Sequence, residues 1–278
     1  MKKIVTIQDI SCYGKCSITI ALPVLSAMGI ETAILPTAVL STHTMFPAPT
    51  CRDLQDQIAP ISAHWQKLGL SFDAIYTGYL ASAGQIALVR KFFDTFGGEG
   101  TLRFVDPAMA DGGKLYPAFD RDFPKAMASL CACADIIVPN LTEACLMTGT
   151  PYLPDGDEKY LRSLLEKLAA LGTRKAVVIT GVTPEKGKTG VMGMEAASGK
   201  FFGFSHEKLS RSYHGTGDLF SSTAVGAMMN GFSMEDSLRI AADYTVASIR
   251  ETMEHDPEKE YSVDFEAVIP YLLKRIGK

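Results

Sequence analysis

The feature that most constrains this chain is a repeated alternation. Short β-branched and aromatic runs succeed one another along its first two thirds, separated by longer segments of helical spacing. "KKIVTIQ", "ETAILPT", "DAIYTGY", "TLRFVDP", "DIIVPN" and "KAVVITG" read as strands, each ending in or near Pro, Gly, Asp or Asn. "RDLQDQIAPISAHWQKLG", "SAGQIALVRKFFDTFG", "AFDRDFPKAMASLCACA" and "DEKYLRSLLEKLAALG" carry apolar residues at helical intervals, several closed by glycine. Near-continuous apolar strands alternating with helices predict a mostly parallel central sheet covered on both faces, a three-layer αβα sandwich. After Gly181 the pattern changes. "GVMGMEAASGKFFGF" predicts a hairpin around a Ser-Gly turn, and three helical stretches close the chain. With no internal repeat and no linker, one α/β domain over residues 1–278 is the expectation.

Composition narrows the function classes. The formal charge of −4 offers no basic field for nucleic acid, and no Lys/Arg block suggests a membrane surface. The opening "MKKIVTIQDIS" is too briefly apolar for a signal peptide or a span. A cytoplasmic protein is expected. Cys12, Cys16, Cys51, Cys131, Cys133 and Cys145 lack paired C-x-x-C spacing and read as free thiols of a reducing compartment. A zinc site on Cys131 and Cys133 is the weaker reading.

In open α/β sheets, ligands bind beyond the carboxyl ends of the strands. The residues at those positions are Gln8-Asp9, Thr77-Gly78-Tyr79, Asp106-Pro107, Pro139-Asn140 and Thr180-Gly181. Several are polar where an apolar run stops, although Asp and Asn also cap helices and start turns.

Two glycine-bearing stretches compete for a phosphate. "GVTPEKGKTG" approximates a P-loop, but Gly181 lies one residue too far upstream and Val182 occupies the position that needs glycine. The next residues, "GVMGMEAAS", read as strand, so no helix N-terminus completes the loop. "HGTGDLFSS" is the better candidate. Its glycines let the backbone approach an anion, and free amides open the helix after them. Asp218 at this entrance is either an ordinary helix-start acid or a group that takes a proton from a hydroxyl beside the anion.

"GTGDLFSS" resembles the signature of the ribokinase-like superfamily of small-molecule kinases. More narrowly, the chain resembles the pyridoxal (vitamin B6) kinases over nearly its whole length. "IVTIQD" is similar to the family's opening strand, usually I-Q-S, and "STHTMF" to its substrate loop, usually S-N-H-T. "TGYLAS" resembles G-Y-L-G/A-S, "DPAMAD" resembles D-P-V-M/L-G-D, and "PNLTEA" resembles the P-N-x-x-E magnesium motif.

The resemblance implies roles. Asp218 would be the base that deprotonates a 5′-hydroxymethyl group, with the amides of Gly215, Thr216 and Gly217 as the anion hole. Asn140 and Glu143 would organise Mg²⁺ on one helical turn, and Asp106 would lie near the triphosphate and its metal. Thr44 and Tyr79 would contact the pyridine ring. Asp111, in "ADGGKLYPAF", would belong to a flap over ATP. Thr180 would lie near the nucleotide, where some members carry a longer basic side chain. ATP and Mg²⁺ are thus implied, together with a homodimer and a monovalent cation such as K⁺. The chemistry agrees, because phosphoryl transfer needs positioning, a cation on phosphate oxygens and donors for spreading charge.

Asp9 departs from the family serine at a position that faces the vitamin. An ionised carboxylate there only accepts hydrogen bonds. Pyridoxal, pyridoxine and pyridoxamine stay open as substrates. So do a hydroxymethylpyrimidine or a sugar on the same scaffold, and, as a different class, a non-catalytic ligand-binding relative.

Overall fold

The structure, a computed structural model, describes residues 1–183 and 187–278. It comprises two compact units, Met1–Gly78 with Leu209–Lys278, and Tyr79–Lys208. In chain order the first unit begins with β1 (Lys3–Ser11), α1 (Ile18–Ala27), β2 (Glu31–Leu40), β3 (Cys51–Asp53), α2 (Gln55–Lys67) and β4 (Ala74–Thr77). The second unit holds α3 (Ala83–Phe96), β5 (Leu102–Val105), β6 (Ala110–Asp111), β7 (Lys114–Leu115), α4 (Phe123–Cys131) and β8 (Ile136–Ile137). It continues through α5 (Leu141–Thr148), α6 (Glu158–Ala169), β9 (Ala176–Val182), β10 (Lys188–Glu195) and β11 (Phe201–Glu207). The chain then returns to the first unit with α7 (Thr216–Met229), α8 (Met234–His255), a 3-10 turn over Phe265–Val268 and α9 (Ile269–Arg275).

In the first unit β1 pairs in parallel with both β2 and β4, and β3 adds an antiparallel edge. Ile4, Val5, Thr6, Ile7 and Gln8 are all fully buried, so both faces of β1 are covered. In the second unit β5, β8 and β9 run parallel, and β10 and β11 add antiparallel strands. Ala176 to Ile179 are likewise buried on successive positions. The expected α/β fold, mostly parallel strands flanked by helices, is the one observed.

One strand carries a local irregularity that matters. Pro36 lies opposite Gln8, and the β1–β2 register slips between Gln8 and Ile10, across Asp9. Proline has no N–H to give the ladder, so it is tolerated where pairing is interrupted. Irregularities of this kind re-aim a side chain at the rim of a sheet.

α1 is absent from the sequence-based expectations. Pro23 sits inside it, and Ile18, Ile20, Ala21, Val24 and Leu25 are all buried. A helix whose sequence, ITIALPVLSA, is apolar nearly all round shows no one-sided pattern to read. The hairpin after Gly181 is present as β10 and β11. Beyond Gly187, Lys188 is exposed and begins β10, so a strand and not a helix comes next. The middle of that rejected phosphate loop, residues 184–186, lies outside the described residues.

Candidate active site

The first unit carries Asp9, Thr44 and the 215–218 turn. α7 begins at Thr216 with Gly215 as its N-cap in the left-handed region, φ 83°. A Cβ on Gly215 would stand 2.6 Å from the Lys15 carbonyl oxygen and 2.7 Å from Ile20 Cδ1. Glycine is therefore required here by both conformation and space. Leu219 N donates to Gly215 O at 3.0 Å, which makes 216–218 the first turn, whose amides lack carbonyl partners within their own helix. Asp218 is half-buried in that turn, and its Oδ2 accepts the backbone N–H of Ser17 at 2.9 Å.

Asp9 is buried, 4 % exposed, at the carboxyl end of β1. Ser11 Oγ donates to its Oδ2 at 3.0 Å, and Ser17 also bonds its side chain. Burial pushes the Asp9 carboxyl above the usual carboxylate range, and the two serines hold it back. Cys16 is buried close by. Its thiol is pushed far up by burial and then by the charges of Asp218 and Asp9, which makes it a poor nucleophile. The structure thus gathers Asp9, Cys16, Ser17 and Asp218 into one cluster.

Thr44 is exposed on the loop after β2. His43 beside it is 2 % exposed and structural. Its Nδ1 accepts from Met45 N at 3.2 Å, so its Nε2 carries the hydrogen and donates to Tyr261 O at 2.9 Å. The His214 ring lies 4.3 Å from that of His43, centroid to centroid. Burial, then the neighbouring His43, lower the His214 imidazole to about 4. Neither histidine is suited to carry charge near neutral pH.

The second unit carries the remaining sequence-predicted residues. Asn140 caps α5 and Glu143 completes a capping box. Glu143 is no surface acid. It is 2 % exposed, its Oε2 accepts from Asn140 N at 2.8 Å, and its Oε1 accepts from Met109 N at 3.0 Å and Ala110 N at 3.4 Å. Asn140 Nδ2 donates in turn to Ala110 O at 2.8 Å. These bonds tie the 106–111 segment to the start of α5. Asp106, 8 % exposed, comes directly after β5. Burial, then the Asp106 charge, raise the Glu143 carboxyl well above its usual range.

Thr180 lies beside Asn140 through a parallel bridge, with its N–H on Pro139 O at 3.0 Å. Asp111 is exposed at the base of the β6–β7 hairpin, paired with Lys114 across Gly112 (φ 55°) and Gly113 (φ 80°). Two left-handed residues in succession make the two-residue turn that closes such a hairpin. Gly113 N donates to Thr142 Oγ1 at 3.0 Å, which fastens the hairpin to α5. Tyr79 is half-buried, and its ring packs on Phe119 at 5.4 Å.

Sequence reasoning missed Lys15, Cys16 and Ser17. "YGKCS" carries no periodic signal, and Gly14 alone hints at a turn. Among the described residues, no three His, Cys, Asp or Glu side chains are grouped so as to hold a metal by themselves.

With this geometry in place, comparison with known proteins is decisive. The sequence pattern of the phosphomethylpyrimidine kinase family matches residues 4–262. The chain belongs to that family. It is an ATP-dependent phosphotransferase of the ribokinase-like superfamily. A pyridoxine/pyridoxal/pyridoxamine kinase of Bordetella avium is 25% identical over 263 residues, 88% of this chain and 84% of that one. A Bacteroides thetaiotaomicron protein, crystallised in an orthorhombic form with pyridoxal, is 37% identical with a TM-score of 0.92, covering 98% of this chain and 95% of that one. The pyridoxal kinase of Lactobacillus plantarum is 30% identical with a TM-score of 0.90, covering 99% and 97%. No helix among the described residues is long and apolar enough to cross a membrane.

Proposed function

We propose that this kinase transfers the γ-phosphoryl group of ATP to the 5′-hydroxymethyl group of a vitamin B6 alcohol, pyridoxal, pyridoxine or pyridoxamine. The observation that carries the reading is the turn at Gly215–Asp218, where a carboxylate is held in the first turn of a helix whose amides face an incoming anion. The likeness to a protein crystallised with pyridoxal supports the choice of substrate.

In this reading Asp218 accepts the hydroxyl proton as the oxygen attacks the γ-phosphorus, and ADP leaves with the bridging oxygen. The amides of Gly215, Thr216 and Gly217 stabilise the charge that develops on the transferring group. Asp9, Thr44 and Tyr79 hold the vitamin. Asp106, Asp111, Asn140, Glu143 and Thr180 serve the nucleotide. The buried carboxyls of Asp106 and Glu143 suit a divalent cation, whose charge would offset the cost of burying both. Asp106 and Glu143, with Asn140 beside them, would hold Mg²⁺, an ion that takes oxygen ligands and needs few carboxylates from the protein. The bound ion supplies charge neutralisation on the phosphate oxygens. Residues 1–278 would act as one kinase domain. The homodimer and a K⁺ requirement rest on resemblance alone.

A second reading, a hydroxymethylpyrimidine kinase, is favoured by the description of the family and by a Haemophilus influenzae hydroxymethylpyrimidine/phosphomethylpyrimidine kinase, 26% identical over 90% of this chain. An ADP-release screen separates the two. Vitamers, pyrimidine alcohols and sugars are compared with and without Mg²⁺. Turnover confined to a pyrimidine alcohol would sink the B6 assignment.

A further inference from the structure

The segment Gly14–Ser17 is the most strained stretch of the first unit. Gly14 (φ 106°), Lys15 (φ 52°) and Ser17 (φ 50°) all lie at positive φ, and Ser17 has ψ −126°. Side chains rarely occupy such conformations unless their surroundings impose them. Here three contacts do so. The His43 ring fills the place a Gly14 Cβ would take, at 2.2 Å. Lys15 Nζ is clamped by Asp264 at 3.2 Å and Glu266 at 2.8 Å. Ser17 bridges to Ile10, and its carbonyl accepts Ala21 N at 2.9 Å to start α1.

The products of this strain face the proposed chemistry. Ser17 N donates to Asp218 Oδ2 at 2.9 Å, and the Lys15 carbonyl abuts Gly215. We propose that this loop is a positioning device for Asp218: Ser17 is the positioning residue, holding the carboxylate through its amide, and Lys15 is its anchor. The inference rests on Asp218 being the base. A base displaced by an ångström loses much of its rate without loss of substrate affinity, so the loop acts on turnover and not on binding.

A double-mutant cycle tests it. Lys15→Met should lower kcat roughly tenfold, with KM for ATP and for pyridoxal little changed, and Lys15→Arg should restore most of the loss. In an Asp218→Asn background, Lys15→Met should cost nothing further, because the group being positioned is gone. Equal losses in both backgrounds, or an unchanged kcat in Lys15→Met, would overturn the positioning role. Near-normal turnover by Asp218→Asn alone would overturn the base assignment first, and the proposal with it.

Discussion

Asn140 and Glu143 bond to each other twice. Asn140 Oδ1 accepts Glu143 N at 3.0 Å, and Glu143 Oε2 accepts Asn140 N at 2.8 Å. The other Glu143 oxygen takes two more amides from residues 109 and 110. Glu143 is thus a structural latch as well as a candidate for metal chemistry. Glu143→Gln keeps the shape but turns one acceptor into a donor facing donors. Leaving buried amides unpaired costs about 1–3 kcal/mol, so the variant should melt several degrees lower in the absence of ligands. It should also need more Mg²⁺. An unchanged melting temperature, read by calorimetry, would contradict the latch.

Gly215→Ala tests the anion turn. The new methyl would meet the Lys15 carbonyl at 2.6 Å while holding φ at 83°. Strain of this kind costs on the order of 1–3 kcal/mol. Stability and kcat should fall together, since the turn that bears the amides must move. Normal kinetics would show that the turn does not handle the phosphoryl group.

His214 gives a pH prediction. Its folded value is lowered to about 4, below the ordinary imidazole value of 6.5. The unfolded chain therefore binds the proton first as pH falls, and stability drops between the two values. The neutral ring's contribution is complete above about pH 6.5 and is lost toward pH 4. Relative to His214→Gln, the parent should lose about 1–3 kcal/mol over that window. Parallel denaturation curves for the two proteins from about pH 7 to about pH 5 would refute the burial argument.

Asp9 should read the vitamer. A buried carboxyl with two serine donors favours a ligand that brings positive charge or a donor. Pyridoxamine or pyridoxine should be preferred over pyridoxal. Asp9→Ser should reorder the three by roughly tenfold in kcat/KM, since one charge-assisted bond is worth about 1.5–3 kcal/mol, with KM for ATP unchanged. An unaltered ranking would leave Asp9 as a strand-end acid only.

The sheet was legible because burial on both faces leaves near-continuous apolar runs, as in Ile4–Ile7 and Ala176–Ile179. α1 was not, because a helix apolar nearly all round, with Pro23 inside it, presents no polar face. In the site, the residues at strand ends and the 215–218 turn could be read from type and position. The 14–17 loop could not. Its work is done by backbone conformation and a main-chain amide, and neither depends on recognisable side-chain chemistry. The burial of Glu143 was equally invisible, since a first-turn acid reads the same whether it faces water or three amides.

Turnover of Asp218→Asn measures the central claim most directly. The test is steady-state ADP release with ATP, Mg²⁺ and each B6 vitamer, alongside nucleotide binding by calorimetry. A general base contributes about 10²- to 10⁴-fold. The account predicts a fall in kcat of that size with ATP affinity retained, because the glycine amides remain. A folded Asp218→Asn enzyme that phosphorylates a vitamer at near-parental kcat would contradict it.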